Sequence, residues 1–129
     1  MGAVDQLRYG MSIKLYGEDK AFGPGIAELL RNVEKEGSLQ GAAQSMNMAY
    51  SKAWKIVKAA EAEWDLPLMD RETGGRDGGG STLTPEAREI VEHYEAFMRE
   101  TRQSVDRLFA EHFPEEWVKG LQERVRDRT

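Results

Sequence analysis

Residues 37–54 read GSLQGAAQSMNMAYSKAW, a run in which two short helical patterns meet across Asn47. Gly37 ends one apolar helical pattern, and Ser38 is a good N-cap for the next helix. Asn47 ends that second helix, because asparagine tolerates a left-handed turn better than other non-glycine residues. A third helix follows over residues 49–64. Two helices joined across so tight a turn predict a helix-turn-helix.

The spacing of small and apolar residues fits this motif. Ala43 is the small residue required where the two helices touch, and Asn47 follows it by four positions. Gly41 is the weak position, since glycine costs a helix roughly 1 kcal/mol relative to alanine. The interior positions are apolar throughout: Ala42, Met46, Met48, Ala53 and Ile56.

The outward side of the third helix is basic. Residues 49–58 contain three lysines and no acidic residue. Lysines on such a face can contact phosphates while neighbouring polar side chains reach base edges, so the face suits insertion into a major groove. The alternative is an ordinary solvated lysine face on a surface helix. Trp54 and Trp64 are predicted to be packing residues.

Residues 72–84 read ETGGRDGGGSTLT, with glycines on both sides of Arg76-Asp77. A phosphate-binding P-loop would need GxxxxGK[ST] followed by a helix, and this stretch has neither. Short apolar segments flank the glycines closely, which argues against a linker and predicts a hairpin, the wing of a winged helix. Its glycine N–H groups can approach phosphates, and Arg76 can contact phosphate or the minor groove. The alternative is a flexible solvent loop.

The remaining segments are largely helical. Alternating apolar residues over 7–15 predict a half-buried strand, and Ile26 to Val33 recur at helical spacing. Pro85 opens a long helix, Phe113-Pro114 breaks it, and a short final helix follows. The long helix carries an apolar stripe at heptad positions, which predicts a homodimer through Val91, Tyr94, Met98, Val105 and Leu108. The alternative is that the final helix folds back over the stripe within one chain.

The predicted fold class is mainly α with a small β-hairpin wing. Residues 1–84 are predicted to form a winged helix-turn-helix DNA-binding domain, and residues 85–129 a helical dimerisation region with a long helix and a short C-terminal helix. The 129 residues carry a net charge of −5, and residues 86–116 hold nine acidic and four basic residues, which accounts for the whole excess.

Composition excludes several other functions. The absence of cysteine rules out disulfides and thiol chemistry, and neither a signal peptide nor a membrane-spanning run is present. We therefore expect a cytoplasmic protein that has no membrane partner. His93 and His112 lack metal-ligand spacing, and no nucleophile–base pair can be argued. We expect no enzyme activity, no metal and no cofactor.

Three motifs in order carry a family resemblance: FGPG before the first helix, residues 37–54, and PLMDRETGGRDGGGSTLTP at residues 67–85. Over residues 11–99 the sequence resembles the N-terminal DNA-binding domain of ModE-type molybdate-responsive transcription regulators, and more distantly LysR-type regulators. It departs at Ala49, where the family usually has serine, and at Ser51-Lys52, where it usually has a basic pair. Full-length members continue into oxyanion-binding β-barrels, whereas residues 101–129 read as helix, so molybdate is not expected to bind this chain.

Together these features predict sequence-specific binding of double-stranded DNA by a homodimeric transcriptional regulator. The helix over 49–64 would enter the major groove, and the wing over 72–82 would lie on the backbone or minor groove. The alternative is a winged-helix protein-interaction module that has lost DNA binding and uses its acidic excess on a basic partner. The predicted DNA contacts are Ala49, Tyr50, Ser51, Lys52, Lys55 and Lys58 on the helix, and Arg71, Thr73, Arg76, Gly78, Gly79 and Ser81 in the wing.

Overall fold

A computed structural model of the chain describes residues 7–71, with Arg71 by its backbone alone, and residues 80–129. Thr73, Arg76, Gly78 and Gly79 of the predicted wing lie outside these residues. The element order is β1 (Leu15–Tyr16), β2 (Lys20–Phe22), α1 (Pro24–Glu36), α2 (Leu39–Ser45), α3 (Tyr50–Trp64), β3 (Met69–Arg71), β4 (Ser81–Leu83), α4 (Pro85–His112) and α5 (Glu115–Arg128). The predicted winged helix-turn-helix with a long helix and a short final helix is confirmed.

The residues that end the helices are the ones that the sequence indicated. Helix α1 ends at Gly37, whose φ of 81° is left-handed and whose N–H donates to the Val33 carbonyl at 2.8 Å. The Ser38 hydroxyl then accepts from the Gly41 N–H at 2.9 Å and caps α2. Helix α4 ends at His112, and Phe113-Pro114 separates it from α5. Local capping chemistry therefore sets the boundary between α1 and α2, and the proline at position 114 coincides with the boundary between α4 and α5.

The strand predicted over residues 7–15 is wrong for most of its length. Burial alternates as expected, since Tyr9, Met11, Ile13 and Leu15 are half-buried and the residues between them are exposed. Regular strand pairing begins only at Leu15, which lies opposite Phe22. The partner strand, β2, is only three residues long, so it cannot pair with a strand that runs from residue 7 to residue 15. Alternating burial indicates an extended chain that is covered on one side, but a β-strand also needs a neighbouring strand with which to pair.

The chain divides into two compact units. Ser12–Ala96 forms one unit, and Phe97–Thr129 forms the other together with the N-terminal segment up to Met11. The unit from Ser12 to Ala96 therefore extends beyond residue 84, where the sequence analysis placed the end of the first domain, and it includes the start of α4. Its largest fully buried side chains are Phe22, Leu29, Leu30, Val33, Val57, Leu68 and Val91.

The start of α4 corrects the predicted dimer stripe. Val91 is completely buried in the core of the first unit, and Tyr94 is 5% exposed. The Tyr94 ring packs edge-on against Phe22, and its hydroxyl donates to the Ile13 carbonyl at 2.7 Å. Burial raises the pKa of Tyr94. These two stripe residues are occupied within one chain, so they are not available to a second copy.

The second unit buries little of its apolar surface. Tyr9 packs against Phe109 with ring centroids 5.3 Å apart, and its hydroxyl donates to the Asp106 carboxylate, which raises the pKa of Tyr9. The Phe113 ring contacts Phe109 in a tilted arrangement and Trp117 in an edge-on arrangement. The structure describes all of α5, and none of its residues is buried. The final helix thus leaves much of the aromatic surface of this unit exposed.

Candidate nucleic-acid interface

Helices α2 and α3 meet through small residues. Ala42 and Ala53 are fully buried, and Ala43 is nearly so, which lets the two backbones approach closely. Asn47 adopts the left-handed conformation with φ of 53°, and the next residue, Met48, donates its N–H to the Ala43 carbonyl at 2.9 Å. The sequence-predicted turn is therefore present at the predicted residue.

Gly41 has a packing reason for its place inside α2. A β-carbon added there would lie 3.0 Å from the Glu36 β-carbon and 3.0 Å from the Ser38 hydroxyl oxygen. Both distances are tighter than ordinary van der Waals contact, so the Glu36 and Ser38 side chains would have to shift by a few tenths of an ångström to accommodate alanine. The glycine that looked unfavourable by helix propensity is the residue that fits beside the capping serine.

The face of α3 that is predicted to contact DNA, here called the reading face, is exposed to solvent. The inward side of α3 is formed by Ala53, Val57 and Ala60, all of them buried. Tyr50 is 44% exposed at the first position of the helix. The other predicted contacts on this helix are exposed as well: Ala49, Ser51, Lys52, Lys55 and Lys58. The six helical residues of the predicted site are therefore accessible to solvent.

Trp54 was predicted to be a packing residue, and this prediction is wrong. Its side chain is 42% exposed on the shoulder of α3, because the inward positions are filled by alanine and valine. The prediction holds for Trp64, which is part-buried, lies edge-on to Phe22 and donates its indole N–H to the Ala21 carbonyl at 3.0 Å.

Lys58 has contacts that sequence reasoning missed. Its ammonium nitrogen lies 5.5 Å from the centroid of the Trp54 ring and 3.2 Å from a Glu61 carboxylate oxygen. The other Glu61 oxygen accepts the Leu68 N–H at 2.8 Å, immediately before β3. The spacings of three and four residues along α3 were the available signal. This chain of contacts ties the reading face to the base of the wing.

The described part of the wing is an antiparallel hairpin. Met69, Asp70 and Arg71 pair with Leu83, Thr82 and Ser81. Thr84 accepts the Ala87 N–H through its hydroxyl at 3.1 Å and so caps the start of α4.

Ser81 departs from its predicted role as a DNA contact. Its side chain is only 6% exposed, and its N–H donates to the Gly37 carbonyl at 2.9 Å. Position 81 is the first strand residue after the glycines, and its side chain faces the core side of the hairpin as Leu83 does. Ser81 therefore connects the wing to the end of α1 instead of lining the exposed surface.

The two histidines lie on α4 and not on the predicted DNA-contacting helix α3. His93 and His112 are exposed on α4. Within the two described ranges, no group of histidine, aspartate and glutamate residues is arranged to hold a metal ion. Across the same residues, no helix is both long enough and apolar enough to cross a membrane.

The fold and the exposed basic helix define a winged helix-turn-helix protein. Residues 27–88 match the family model of bacterial regulatory helix-turn-helix proteins of the LysR family. A solved structure described as the crystal structure of a CbnR_DBD–DNA complex superposes with a TM-score of 0.52 at 20% identity, covering 65% of this chain and 91% of that one. That likeness supports the fold.

Individual relatives confirm the resemblance to ModE-type regulators. The chain is 39% identical over 80 residues to the molybdenum transport protein ModE of Azotobacter vinelandii, covering 62% of this chain and 30% of that protein. It is 33% identical over 76 residues to the transcriptional regulator ModE of Haemophilus influenzae, covering 59% and 30%. The similarity thus concerns less than a third of the length of these two relatives.

Proposed function

We propose that this chain binds double-stranded DNA in a sequence-specific manner and regulates transcription as a homodimer. The observation that carries the proposal is the exposed face of α3, where three lysines project from a helix-turn-helix and no acidic residue lies between 49 and 58. In this arrangement α3 enters the major groove, and the wing lies on the backbone or in the minor groove. The match to regulatory helix-turn-helix proteins supports it.

The charge distribution is compatible with DNA despite the net charge of −5. The acidic excess lies in residues 86–116, whereas Lys52, Lys55 and Lys58 lie together on α3. Exposed charges act mainly within about 8 Å at physiological salt, so the charges nearest the contact surface contribute most to the attraction. The basic face therefore attracts phosphate even though the whole chain is acidic.

Binding to a duplex at graded salt tests this proposal. We expect an affinity that falls steeply with salt and is lost when all three lysines are replaced by alanine. The slope of log affinity against log salt should decrease by about one for each lysine that contacts phosphate. The matched control replaces Lys14, Lys20 and Lys35 by alanine, which removes the same charge from exposed positions outside α3 and should leave binding unchanged. Absence of duplex binding at low salt would favour the protein-interaction alternative.

The wing provides a separate test. We propose that Arg71, Thr73, Arg76, Gly78 and Gly79 contribute contacts to the backbone or minor groove. Arg76→Ala should weaken binding to all sequences by a similar factor, because a phosphate or minor-groove contact carries little base information. The melting temperature should not change. An unaltered affinity for DNA would indicate a passive loop.

Dimer formation is supported by the exposed apolar surface of the second unit. Leu108, Phe113, Trp117 and Val125 are each more than 40% exposed. Met98 and Val105, from the predicted stripe, are half-buried. Large exposed apolar patches are unusual on monomers and commonly mark an interface. A two-fold contact between identical patches covers such a surface and presents two copies of α3 to two half-sites.

The proposal includes no catalytic activity and no cofactor. A cytoplasmic location remains a prediction, as does the expectation that molybdate does not bind these 129 residues. A direct check is the melting temperature in excess molybdate, which should match that in buffer, because any ligand that binds the folded state raises it.

A further inference from the structure

Trp54 has a side chain that the packing of the domain does not account for. It is 42% exposed, although tryptophan is one of the largest apolar residues, and the buried side of α3 is completed by Ala53, Val57 and Ala60. It lies one helical turn beyond Tyr50, within the stretch that carries the lysines. An exposed aromatic ring on a basic helix face is typical of a contact surface rather than of a core.

The Trp54 ring is held in place by a chain of contacts. The Lys58 ammonium lies 5.5 Å from the ring centroid, which is within the range of a cation–π contact. Glu61 pairs with Lys58 at 3.2 Å and also accepts the Leu68 N–H at 2.8 Å. The lysine is thus anchored to the backbone before the wing. Ordering of this kind reduces the conformational entropy that the side chain would lose on binding.

The chemistry of the major groove limits what an indole can contact there. Most groups exposed in this groove are hydrogen-bond donors and acceptors, and the C5-methyl of thymine is its apolar group. The apolar face of Trp54 gains from contact with such a methyl, whereas the lysines beside it satisfy phosphates. Charge complementarity around Trp54 selects DNA as the occupant, and the apolar ring selects thymine.

We propose, building on the proposed function, that Trp54 is a specificity-determining residue that packs its indole against the C5-methyl of thymine in the major groove. Lys58 and Glu61 are positioning residues for this contact. Trp54 lies outside the set of predicted DNA contacts, and thymine is the base that it selects.

The experiment removes the methyl group from the DNA and the indole from the protein. A binding duplex is first selected from a random library with the unmodified chain. Each thymine is then replaced in turn by deoxyuridine, which lacks the C5-methyl. We expect one or two positions in each half-site where this replacement weakens binding about fourfold, the effect of burying one methyl group. Trp54→Ala should bind more weakly and should no longer distinguish thymine from uracil at those positions.

Controls separate reading from folding. Tyr16→Ala removes an aromatic side chain that is 65% exposed on β1 and should keep the full methyl dependence. Trp54→Phe should retain part of it. The melting temperature of Trp54→Ala should fall only modestly, since Trp54 is 42% exposed and lies outside the buried core.

The outcomes are distinguishable. Indifference of the unmodified chain to every deoxyuridine replacement would overturn this inference, and so would an unchanged methyl dependence in Trp54→Ala. If Trp54→Ala did not fold, the test would compare the unmodified chain with Trp54→Phe, and a partial loss of methyl dependence in Trp54→Phe would support the inference. Failure to recover any binding duplex would refute the proposed function itself.

Discussion

Four charged side chains join α1 to the start of α4. Arg31 donates to the Glu95 carboxylate at 2.7 and 3.0 Å and to Glu34 at 2.8 Å. Glu34 also accepts from Arg88 at 2.9 Å. Hydrogen bonds from Arg88 and Arg31 lower the pKa of Glu34, and bonds to Glu95 and Glu34 raise the pKa of Arg31. Glu34 is the shared partner of two arginines, so it connects the network.

Replacing Glu34 by glutamine should therefore destabilise the fold in a pH-dependent way. At neutral pH we expect a loss of roughly 1 kcal/mol in the free energy of unfolding, a modest value because the network is partly exposed. The folded-state pKa of Glu34 lies below its ordinary value of 4.5, so its contribution is complete above that pH and is lost as pH falls through the folded pKa. Urea unfolding at several pH values measures this.

The difference between Glu34→Gln and the unmodified chain should consequently shrink in acid. A matched control is Glu28→Gln, which changes an exposed carboxylate on the same helix. A constant difference at all pH values would indicate that the variant acts through packing and not through charge.

Trp54 and Ser81 illustrate what a sequence pattern leaves undetermined at single positions. Both follow the expected secondary structure, yet one is exposed and the other buried, opposite to their predicted roles. The helical period places Trp54 at the edge between the buried and exposed sides of α3, where neighbouring side chains determine how much of the tryptophan is exposed. For Ser81 the deciding contact is the N–H donated to Gly37, which lies far away in sequence. Such long-range packing is not encoded in a local pattern.

Among the elements, those governed by local chemistry were predictable. Gly37, Ser38 and Asn47 act through their own backbone conformation or through neighbours within four residues. The strand over 7–15 failed because pairing depends on a partner that residues 20–22 supply only in part. The division of α4 into a buried start and an exposed remainder also depends on tertiary contacts, since the heptad pattern is the same in both parts.

The turn between α2 and α3 makes a prediction at this scale. Asn47 has a φ of 53°, a conformation that costs most L-residues about 1 kcal/mol or more. Asn47→Ala should lower the free energy of unfolding by about that amount, whereas Asn47→Gly should be nearly neutral. Chemical denaturation of the two variants measures the difference.

The matched control is Gln44→Ala, an exposed position within α2 where alanine suits the helix. It should not destabilise the protein. Equal effects of alanine and glycine at position 47 would show that the asparagine acts through its side chain and not through its backbone conformation.

At the scale of the whole molecule, the two units differ in how much apolar surface they cover. The unit from Ser12 to Ala96 has a packed core, whereas α5 of the other unit has no buried residue along its described length. The alternative in which α5 folds back would have to cover Leu108, which is 42% exposed. The apolar stripe on α4 was predictable from the sequence. Which of its residues are buried within one chain depends on tertiary packing, which the sequence pattern does not show.

The exposed stripe leads to the prediction of a dimer. A second copy that covers Leu108, Phe113 and Trp117 would remove from water a surface that one chain leaves open, and burial yields roughly 25 cal/mol for each Å² of apolar area. Met98 and Val105 lie on the same predicted stripe. We expect a dimeric mass by light scattering at micromolar concentration. Met98→Glu combined with Val105→Glu should give a monomer, because two charges would then lie in the contact. Gln103→Glu with Ser104→Glu adds the same charge at exposed positions of α4 and should remain dimeric. A monomeric mass for the unmodified chain would refute the dimer, and with it the expectation of a palindromic DNA site, since one copy of α3 reads only one half-site.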